Sequence, residues 1–451
     1  MKEALLRRWH RLLQSSPDLV PPLQPLALTE DEPLVHAVLE TRGEVRRILM
    51  ENILPFWFPA CIDESGGGYQ LVSLGTSGSP GSTGGGESKL TIPVARICWF
   101  FSRMAREKHL AEGLSAADHG FRFLRDHLWD GDEGGFFWEV SPDGSTPLNT
   151  RKRLYAQAFG LYAVAEYARA SGNGEARAFA EEVAVFLEGR FRDSRWGGYW
   201  EELVREEDGS DRASSGAREK PDPRARMKTF NAHLHMLEAL SAFSKLSDAD
   251  MWHTRIWETL LILTNTVYRG GYRTSTDWHR EDWTPLLEKN FVDVSYGHDL
   301  EAVWMVQAAS MDLGIPPSLF STWGRALFDH ALQWGWDRKR GGVYFRGPLG
   351  GPAYNREKVF WVQAEVLVST LMAFRATGDP RYGELYLSTL DWVTHRQVDW
   401  SGGEWHAEIR EDGRIEGAKA GLWKSPYHTG RSMMMCLRLL EPGKELCLGG
   451  L

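Results

Sequence analysis

The chain has 451 residues, of which 42% are hydrophobic and 25% are charged, and its formal net charge is −9. This acidic balance, without a Lys/Arg cluster along any predicted helix, argues against nucleic acid as a partner. No segment, including the N-terminal one, has the run of about eighteen apolar residues that a membrane span needs, and no signal peptide is evident.

The cysteine and aromatic content indicates the compartment of the protein and the kind of ligand that it binds. Four cysteines show neither close pairing nor metal-ligand spacing, which is typical of a reducing compartment, so we expect a cytoplasmic protein. The chain also has 20 Trp, 13 Tyr and 20 Phe. Aromatic rings of this number fill a large core, and those left over suit stacking on the apolar faces of sugars.

A Gly-Gly-aromatic element occurs six times, about 65 residues apart. The copies are GGGY at 66–69, GGFFW at 134–138, GGYW at 197–200, GGYR at 270–273, GGVYF at 341–345 and GGEW at 402–405. Five copies follow an aspartate, as a tight turn favours: Asp63, Asp130, Asp193, Asp337 and Asp399. The repeat predicts six equivalent structural units.

Apolar spacing predicts one helix before and one after each element. In chain order they are 33–53, 92–109, 114–128, 154–171, 174–191, 229–246, 248–266, 296–313, 318–334, 357–377, 380–396 and 427–440. Twelve helices in six pairs predict an all-α fold, an (α/α)6 barrel of six helical hairpins with alternate helices inside and outside. An open helical solenoid is the alternative.

We expect this barrel to span residues 33–445, after an N-terminal extension at 1–32. Two irregular segments interrupt it, a Gly/Ser-rich one at 74–88 and a charged one at 204–226. Both precede inner helices, so they are either lids over the mouth of the barrel or solvated insertions without a function.

Residues able to move protons or bind polar ligands open the predicted inner helices. They are Arg96, Tyr155, Gln157, Asn231, His233, His235, His298, Glu301, Trp361, Gln363, Glu365, His428 and Arg431. Residues three apart share one helix face, as in the pairs of His235 with Glu238, His298 with Glu301 and His428 with Arg431. His233 and His235 point to different faces, so one of them belongs to the core. Several histidines at one mouth suit proton transfer near neutral pH.

Metal binding is the other use of such residues. The two His-x-x-Glu pairs reverse the order found in di-iron bundles and lack further carboxylates at the spacing of those sites. No nucleotide-binding glycine motif is present. We therefore expect neither a metal nor a cofactor.

Six segments together resemble the N-acylglucosamine 2-epimerase superfamily, and within it the cellobiose and mannose 2-epimerases. They are RICWFFSRM, RLYAQAFGLYAVAEY, NAHLHMLEA, VSYGHDLEAVW, FWVQAE and WKSPYHTGR. The resemblance implies an (α/α)6 barrel that acts at C2 of an aldose without a cofactor. It also implies roles: His298 and His428 as general acid/base residues, His235 in ring opening, and substrate contacts from Arg96, Tyr155, Asn231, Glu301, Trp361 and Trp423.

The leading hypothesis is a 2-epimerase that interconverts glucose- and mannose-type reducing ends, with cellobiose or free mannose and glucose as substrates. One alternative is an aldose–ketose isomerase that converts mannose to fructose. Another is an (α/α)6 glycoside hydrolase with Glu301 and Glu365 as its carboxylates, although both are better explained as partners of a histidine or a sugar hydroxyl. A non-catalytic sugar-binding module is the fourth. We expect a monomer or a homodimer.

Overall fold

The computed structural model describes residues 33–71, 87–203, 224–288 and 292–441. Fourteen helices are described: α1 Pro33–Glu40, α2 Arg42–Arg47, α3 Leu54–Trp57, α4 Thr91–Arg106, α5 Gly113–Phe123, α6 Leu154–Ser171, α7 Gly174–Arg190, α8 Phe230–Phe243, α9 Asp250–Leu261, α10 Tyr296–Asp312, α11 Ser321–Trp334, α12 Phe360–Thr377, α13 Pro380–Trp392 and α14 Pro426–Leu439. A short 3-10 turn, Pro317–Phe320, precedes α11, and four π-helical turns extend the outer helices at Ile48–Ile53, Leu124–Leu128, Ile262–Thr266 and Val393–Gln397. All twelve predicted helices are confirmed, the first as the run from α1 to α3.

Helices α4, α6, α8, α10, α12 and α14 form a closed inner ring. Each packs against the next, and α14 packs against α4, so the structure excludes the open solenoid. Each of the first five inner helices also packs against the outer helix that follows it. The last inner helix, α14, packs against α2 and the π-helical turn after it, and α1 packs against α13. The two ends of the described chain thus complete the sixth pair, and the predicted all-α (α/α)6 fold is confirmed.

Burial separates the two rings. Every residue of α4 from Thr91 to Met104 is buried, whereas the outer helix α7 buries one stripe and exposes the opposite face. An inner helix lies between the outer ring and the central site, so few of its positions face water. None of the helices in the described ranges has the length and apolarity to cross a lipid bilayer.

The glycine elements are tight backbone hairpins between an outer helix and the next inner helix. In the second copy the Asp130 carboxylate accepts hydrogen bonds from the backbone two and three residues further on, at 3.1 and 3.2 Å. Gly134 and Gly135 both have positive φ, +74° and +83°, and a Cβ on Gly135 would lie 2.5 Å from the Phe186 ring. Glycine is required here by both conformation and space.

Five hairpins share this form, although in the last copy the second residue with positive φ is Glu404, and the GGYR copy differs. There the strands Tyr268–Arg269 and Thr274–Ser275 pair, and Arg273, not a glycine, takes positive φ. This copy also has no preceding aspartate in the sequence, so the prediction of six equivalent units is wrong for one hairpin.

A lysine, buried in four copies and half-buried as Lys419 in the last, ties each of the five similar hairpins to the chain before the next inner helix. Lys228 is fully buried and donates to the Asp193 carboxylate and to the Gly197 carbonyl, each at 2.7 Å. The equivalent pairs are Lys89 with Asp63, Lys152 with Asp130, Lys358 with Asp337 and Lys419 with Asp399. These ion pairs fix the approach of the chain to the mouth of the ring.

The fourth residue of an inner helix supports the same hairpins. Gln157 and Gln363 accept from the backbone N–H groups of Phe136 and Val343, at 2.7 and 2.9 Å. His233 does the same job, since its Nε2 accepts from the Tyr199 N–H at 2.9 Å. His233 is therefore the histidine of its pair that belongs to the core, and Gln157 and Gln363 serve the fold.

Twelve strands of two or three residues line the end of the ring where the inner helices begin. They are Lys89–Leu90, Glu139–Val140, Pro147–Asn149, Lys228–Thr229, Tyr268–Arg269, Thr274–Ser275, Trp278–His279, Asp293–Ser295, Arg346–Pro348, Lys358–Val359, Glu408–Ile409 and Ile415–Glu416. All pairs are antiparallel and form two three-stranded and three two-stranded sheets. The sequence analysis did not predict these strands, because two residues are too few for an alternating pattern.

Several expectations fall outside the described residues. These are the extension at 1–32, most of the segments 74–88 and 204–226, and Cys447. The other three cysteines, Cys61, Cys98 and Cys436, are buried and free.

Candidate active site

The inner helices bring matching positions to one level of the ring. Two of them begin at a side-chain cap: the Thr229 hydroxyl accepts from the Ala232 N–H, and the Ser295 hydroxyl accepts from the His298 N–H. The sixth residues of the six helices are Arg96, Phe159, His235, Glu301, Glu365 and Arg431. About one turn nearer the mouth lie the second and third residues, which include Tyr155, Asn231, Trp361, His298 and His428.

His428 is held by a carboxylate from the neighbouring helix. Its Nδ1 lies 2.7 Å from Glu365 Oε1, and the Trp304 indole donates to the other Glu365 oxygen at 2.8 Å. A carboxylate at Nδ1 fixes the proton there and leaves Nε2 free to act as a base. Burial, with the nearby positive charges of Arg96 and Arg431, lowers the pKa of His428 well below its usual value.

His298 is half-buried and forms no hydrogen bond through its ring within the described residues. The Trp361 ring lies against it, with 4.6 Å between ring centroids, and lies 5.7 Å from the His428 ring. Burial lowers the pKa of His298 to about 3, so its ring is neutral near pH 7. Two neutral imidazole rings, those of His298 and His428, thus lie near the Trp361 ring at the mouth of the barrel.

His298 also forms one wall of a pocket that opens to solvent. Ser275, Asp277, Trp278 and Arg346 line its other walls. An aromatic ring among polar side chains is typical of sites that bind small polar ligands.

His235 belongs to a second group of bonded side chains. Its Nδ1 lies 3.4 Å from Glu238, three residues on as predicted, and its Nε2 lies 3.3 Å from the Tyr155 hydroxyl. Arg96 donates to that hydroxyl at 2.8 Å and to the Trp423 carbonyl at 3.2 Å. The Trp423 side chain is 55% exposed, so this group extends from the buried ring to the mouth.

Arg431 lies among three buried carboxylates from three other helices. It donates to Glu238 at 2.6 Å, to Glu301 at 2.8 Å and to Glu365 at 2.7 Å. Burial raises the pKa of Glu301 to about 8, and the charge of Glu365 adds to the effect. Burial opposes ionisation of Glu238 as well. The charge of Arg431 and the hydrogen bonds from His235 and Tyr427 nevertheless lower the pKa of Glu238 to about 2.

The structure therefore brings most of the predicted residues together, with three differences. Glu301 contacts Arg431 and not His298, and the hydrogen-bond partner of His428 is Glu365 of α12 and not Arg431 of its own helix. The Asn231 side chain is half-buried, and its Oδ1 accepts no hydrogen bond within the part of the chain that the structure describes. Substrate contact by Glu301 and Glu365 stays a prediction, since both are fully buried.

Glu301, Glu365 and His428 offer three ligand atoms within 4.8 Å of one another, the spacing of a metal site. Spacing within one helix does not reveal this group, because its three residues lie on three different helices. However, the same Arg431 nitrogen donates to one oxygen of each glutamate, and its positive charge opposes a cation at this point.

We expect activity to be independent of metal ions. Exhaustive EDTA treatment should leave the rate of sugar conversion unchanged, because the carboxylates already have a cationic partner. A loss of activity that one divalent ion restores would contradict this expectation and would identify the group as a metal site.

The closed helical ring and the histidine–carboxylate pairs at its mouth place the chain among (α/α)6-barrel enzymes. The family model of N-acylglucosamine 2-epimerase (GlcNAc 2-epimerase) matches residues 72–432. The chain belongs to the N-acylglucosamine 2-epimerase family and is an isomerase, as the sequence predicted.

Individual relatives cover nearly the whole chain. A cellobiose 2-epimerase of Eubacterium cellulosolvens is 31% identical over 425 residues, 89% of this chain and 98% of that protein. A D-mannose isomerase of Marinomonas mediterranea is 26% identical over 405 residues, 87% and 95% of the two chains. The solved cellobiose 2-epimerase of Bacillus thermoamylovorans B4167 superposes with a TM-score of 0.77 at 27% identity, covering 88% and 99%.

Proposed function

We propose that the protein is a sugar 2-epimerase that interconverts glucose- and mannose-type reducing ends, of cellobiose or of free mannose and glucose. The observation that carries the proposal is the pair His298 and His428, whose neutral rings lie 4.6 and 5.7 Å from the Trp361 ring and each offer a free ring nitrogen. The likeness to cellobiose 2-epimerases supports the same substrates.

In the proposed reaction one histidine removes the C2 proton of the open-chain aldose and leaves an enediolate. The second histidine takes up a proton from solvent, which the negative charge of the intermediate favours, and delivers that proton to the opposite face of C2. We assign stabilisation of the enediolate oxygen to Arg96, whose positive charge lies close enough to His428 to lower the pKa of that histidine. Exchange of protons with solvent resets the two histidines.

Ring opening precedes this step and needs a proton to leave O1 and another to reach O5. We assign it to His235, because its Nε2 approaches the Tyr155 hydroxyl while Glu238 holds its Nδ1. Asn231, Trp361 and Trp423 would then bind the sugar, the two tryptophans through stacking on its C–H faces.

An aldose–ketose isomerase is the second candidate, favoured by the likeness to a D-mannose isomerase. The first proton transfer is the same, and delivery of the proton to C1 gives the ketose. The hydrolase alternative has less support. Glu301 and Glu365 are fully buried and accept from the same Arg431 nitrogen, whereas a glycosidase needs its two carboxylates on either side of an open cleft.

The test is product analysis by NMR after incubation with cellobiose, mannose, glucose and N-acetylglucosamine. We expect the C2 epimer of at least one of the first three sugars. Fructose from mannose, without glucose, would favour the isomerase. Glucose released from cellobiose would favour the hydrolase, and binding without any product would favour the sugar-binding module; either would contradict the proposal.

A further inference from the structure

Two histidines of the site are joined by a continuous set of charged contacts. His428 contacts Glu365, Glu365 contacts Arg431, Arg431 contacts Glu238, and Glu238 contacts His235. Each distance is between 2.6 and 3.4 Å. Three inner helices, α8, α12 and α14, contribute to the set, and α8 is not adjacent to α14 in the ring.

We infer that Arg431 is a positioning residue shared by both histidine–glutamate pairs: it holds Glu365 and Glu238 so that His428 and His235 each keep the proton on Nδ1 and present Nε2 to the substrate. This role rests on the proposed function, in which both Nε2 atoms move protons. It gives one buried side chain control over the C2 step and over ring opening.

The geometry suits arginine in particular. One terminal nitrogen donates to Glu238, and the other donates to Glu365 and Glu301, so the planar guanidinium orients carboxylates on opposite arms. A lysine has a single terminal nitrogen and no rigid fork, and it cannot fix two carboxylates in this way.

Neighbouring side chains keep the guanidinium in place. The Tyr427 hydroxyl hydrogen-bonds to Glu238 and accepts from Arg431, and the Tyr427 ring lies 4.2 Å from the guanidinium carbon. Trp304 packs on the Arg431 cation at 4.8 Å while its indole donates to Glu365. Arg431 is 1% exposed, so water does not replace these contacts.

The test is ¹⁵N NMR of histidine-labelled protein without sugar, which distinguishes the Nδ1–H from the Nε2–H tautomer. The wild-type protein should show the Nδ1–H form for both His235 and His428. Arg431→Lys should disturb both histidines at once, whereas Glu365→Gln should disturb His428 alone and Glu238→Gln should disturb His235 alone. We also expect kcat of Arg431→Lys to fall by about 10²-fold with KM little changed.

Arg103→Lys is the matched control. Arg103 is also buried on an inner helix and also binds two carboxylates, Glu107 and Glu166, but it contacts neither histidine. This variant should leave both tautomers and kcat unchanged. Should Arg431→Lys fail to fold, Arg431→Gln carries the same expectation.

Two results would overturn the inference. One is an Nε2–H tautomer for either histidine in the wild-type protein, and the other is an Arg431 variant that keeps both tautomers. Because these spectra are recorded without sugar, they decide the inference separately from the epimerase proposal, which is decided by the products.

Discussion

Replacing His428 with Asn should reduce epimerisation by about 10²- to 10⁴-fold, the usual contribution of a positioned acid/base group. The fold should persist, because Glu365 keeps its contacts with Arg431 and Trp304 after the imidazole is lost. Initial rates with cellobiose and mannose, together with the melting temperature, provide the measurement.

The repeat itself supplies a control for that variant. His233→Gln places at the fourth position of α8 the residue that α6 and α12 have there, where Gln157 and Gln363 accept a backbone hydrogen bond. We expect it to fold and to remain active. A His428→Asn protein with normal melting and near-wild-type epimerisation would remove His428 from the mechanism.

His298→Asn should cause a loss of similar size, about 10²- to 10⁴-fold, and a specific pattern of exchange with solvent. If the two histidines serve opposite faces of C2, each single variant exchanges the C2 proton of one epimer only. In D2O, His298→Asn should therefore label one of the glucose and mannose pair, and His428→Asn should label the other. Melting should change little, because the His298 ring makes no hydrogen bond within the described residues.

Two results with the His298→Asn and His428→Asn variants would contradict this expectation. If both variants labelled the same epimer, both histidines would reach the same face of C2, and the assignment of one histidine to each face would be wrong. If both lost stability in parallel with activity for every sugar, the two residues would serve the fold.

The sequence predicted the helical ring well because its signals are local. Apolar spacing marked every helix, and six glycine elements marked the unit length, as Gly134 and Gly135 illustrate: their positive φ leaves little choice of residue. The small strands were not predicted because two or three residues are too few for an alternating pattern. The buried ion pair of Lys228 with Asp193 was not predicted because it joins residues 35 positions apart in the chain.

The site was predicted in composition but not in its contacts. Spacing within one helix identified His235 with Glu238, and the structure has that contact. It could not identify Glu365 as the partner of His428, because they lie on different helices. Aligning the six repeats would have brought these residues together, since Glu365 and Arg431 are both sixth residues of inner helices.

The claim that the protein moves the proton at C2 of an aldose is tested most directly by incubating the wild-type protein with cellobiose, mannose or glucose in D2O and recording NMR spectra of the sugar. The proposal predicts deuterium at C2 of a substrate and of its epimer, at a rate comparable with epimerisation. A folded protein that places no deuterium at C2 of any of these aldoses would contradict it.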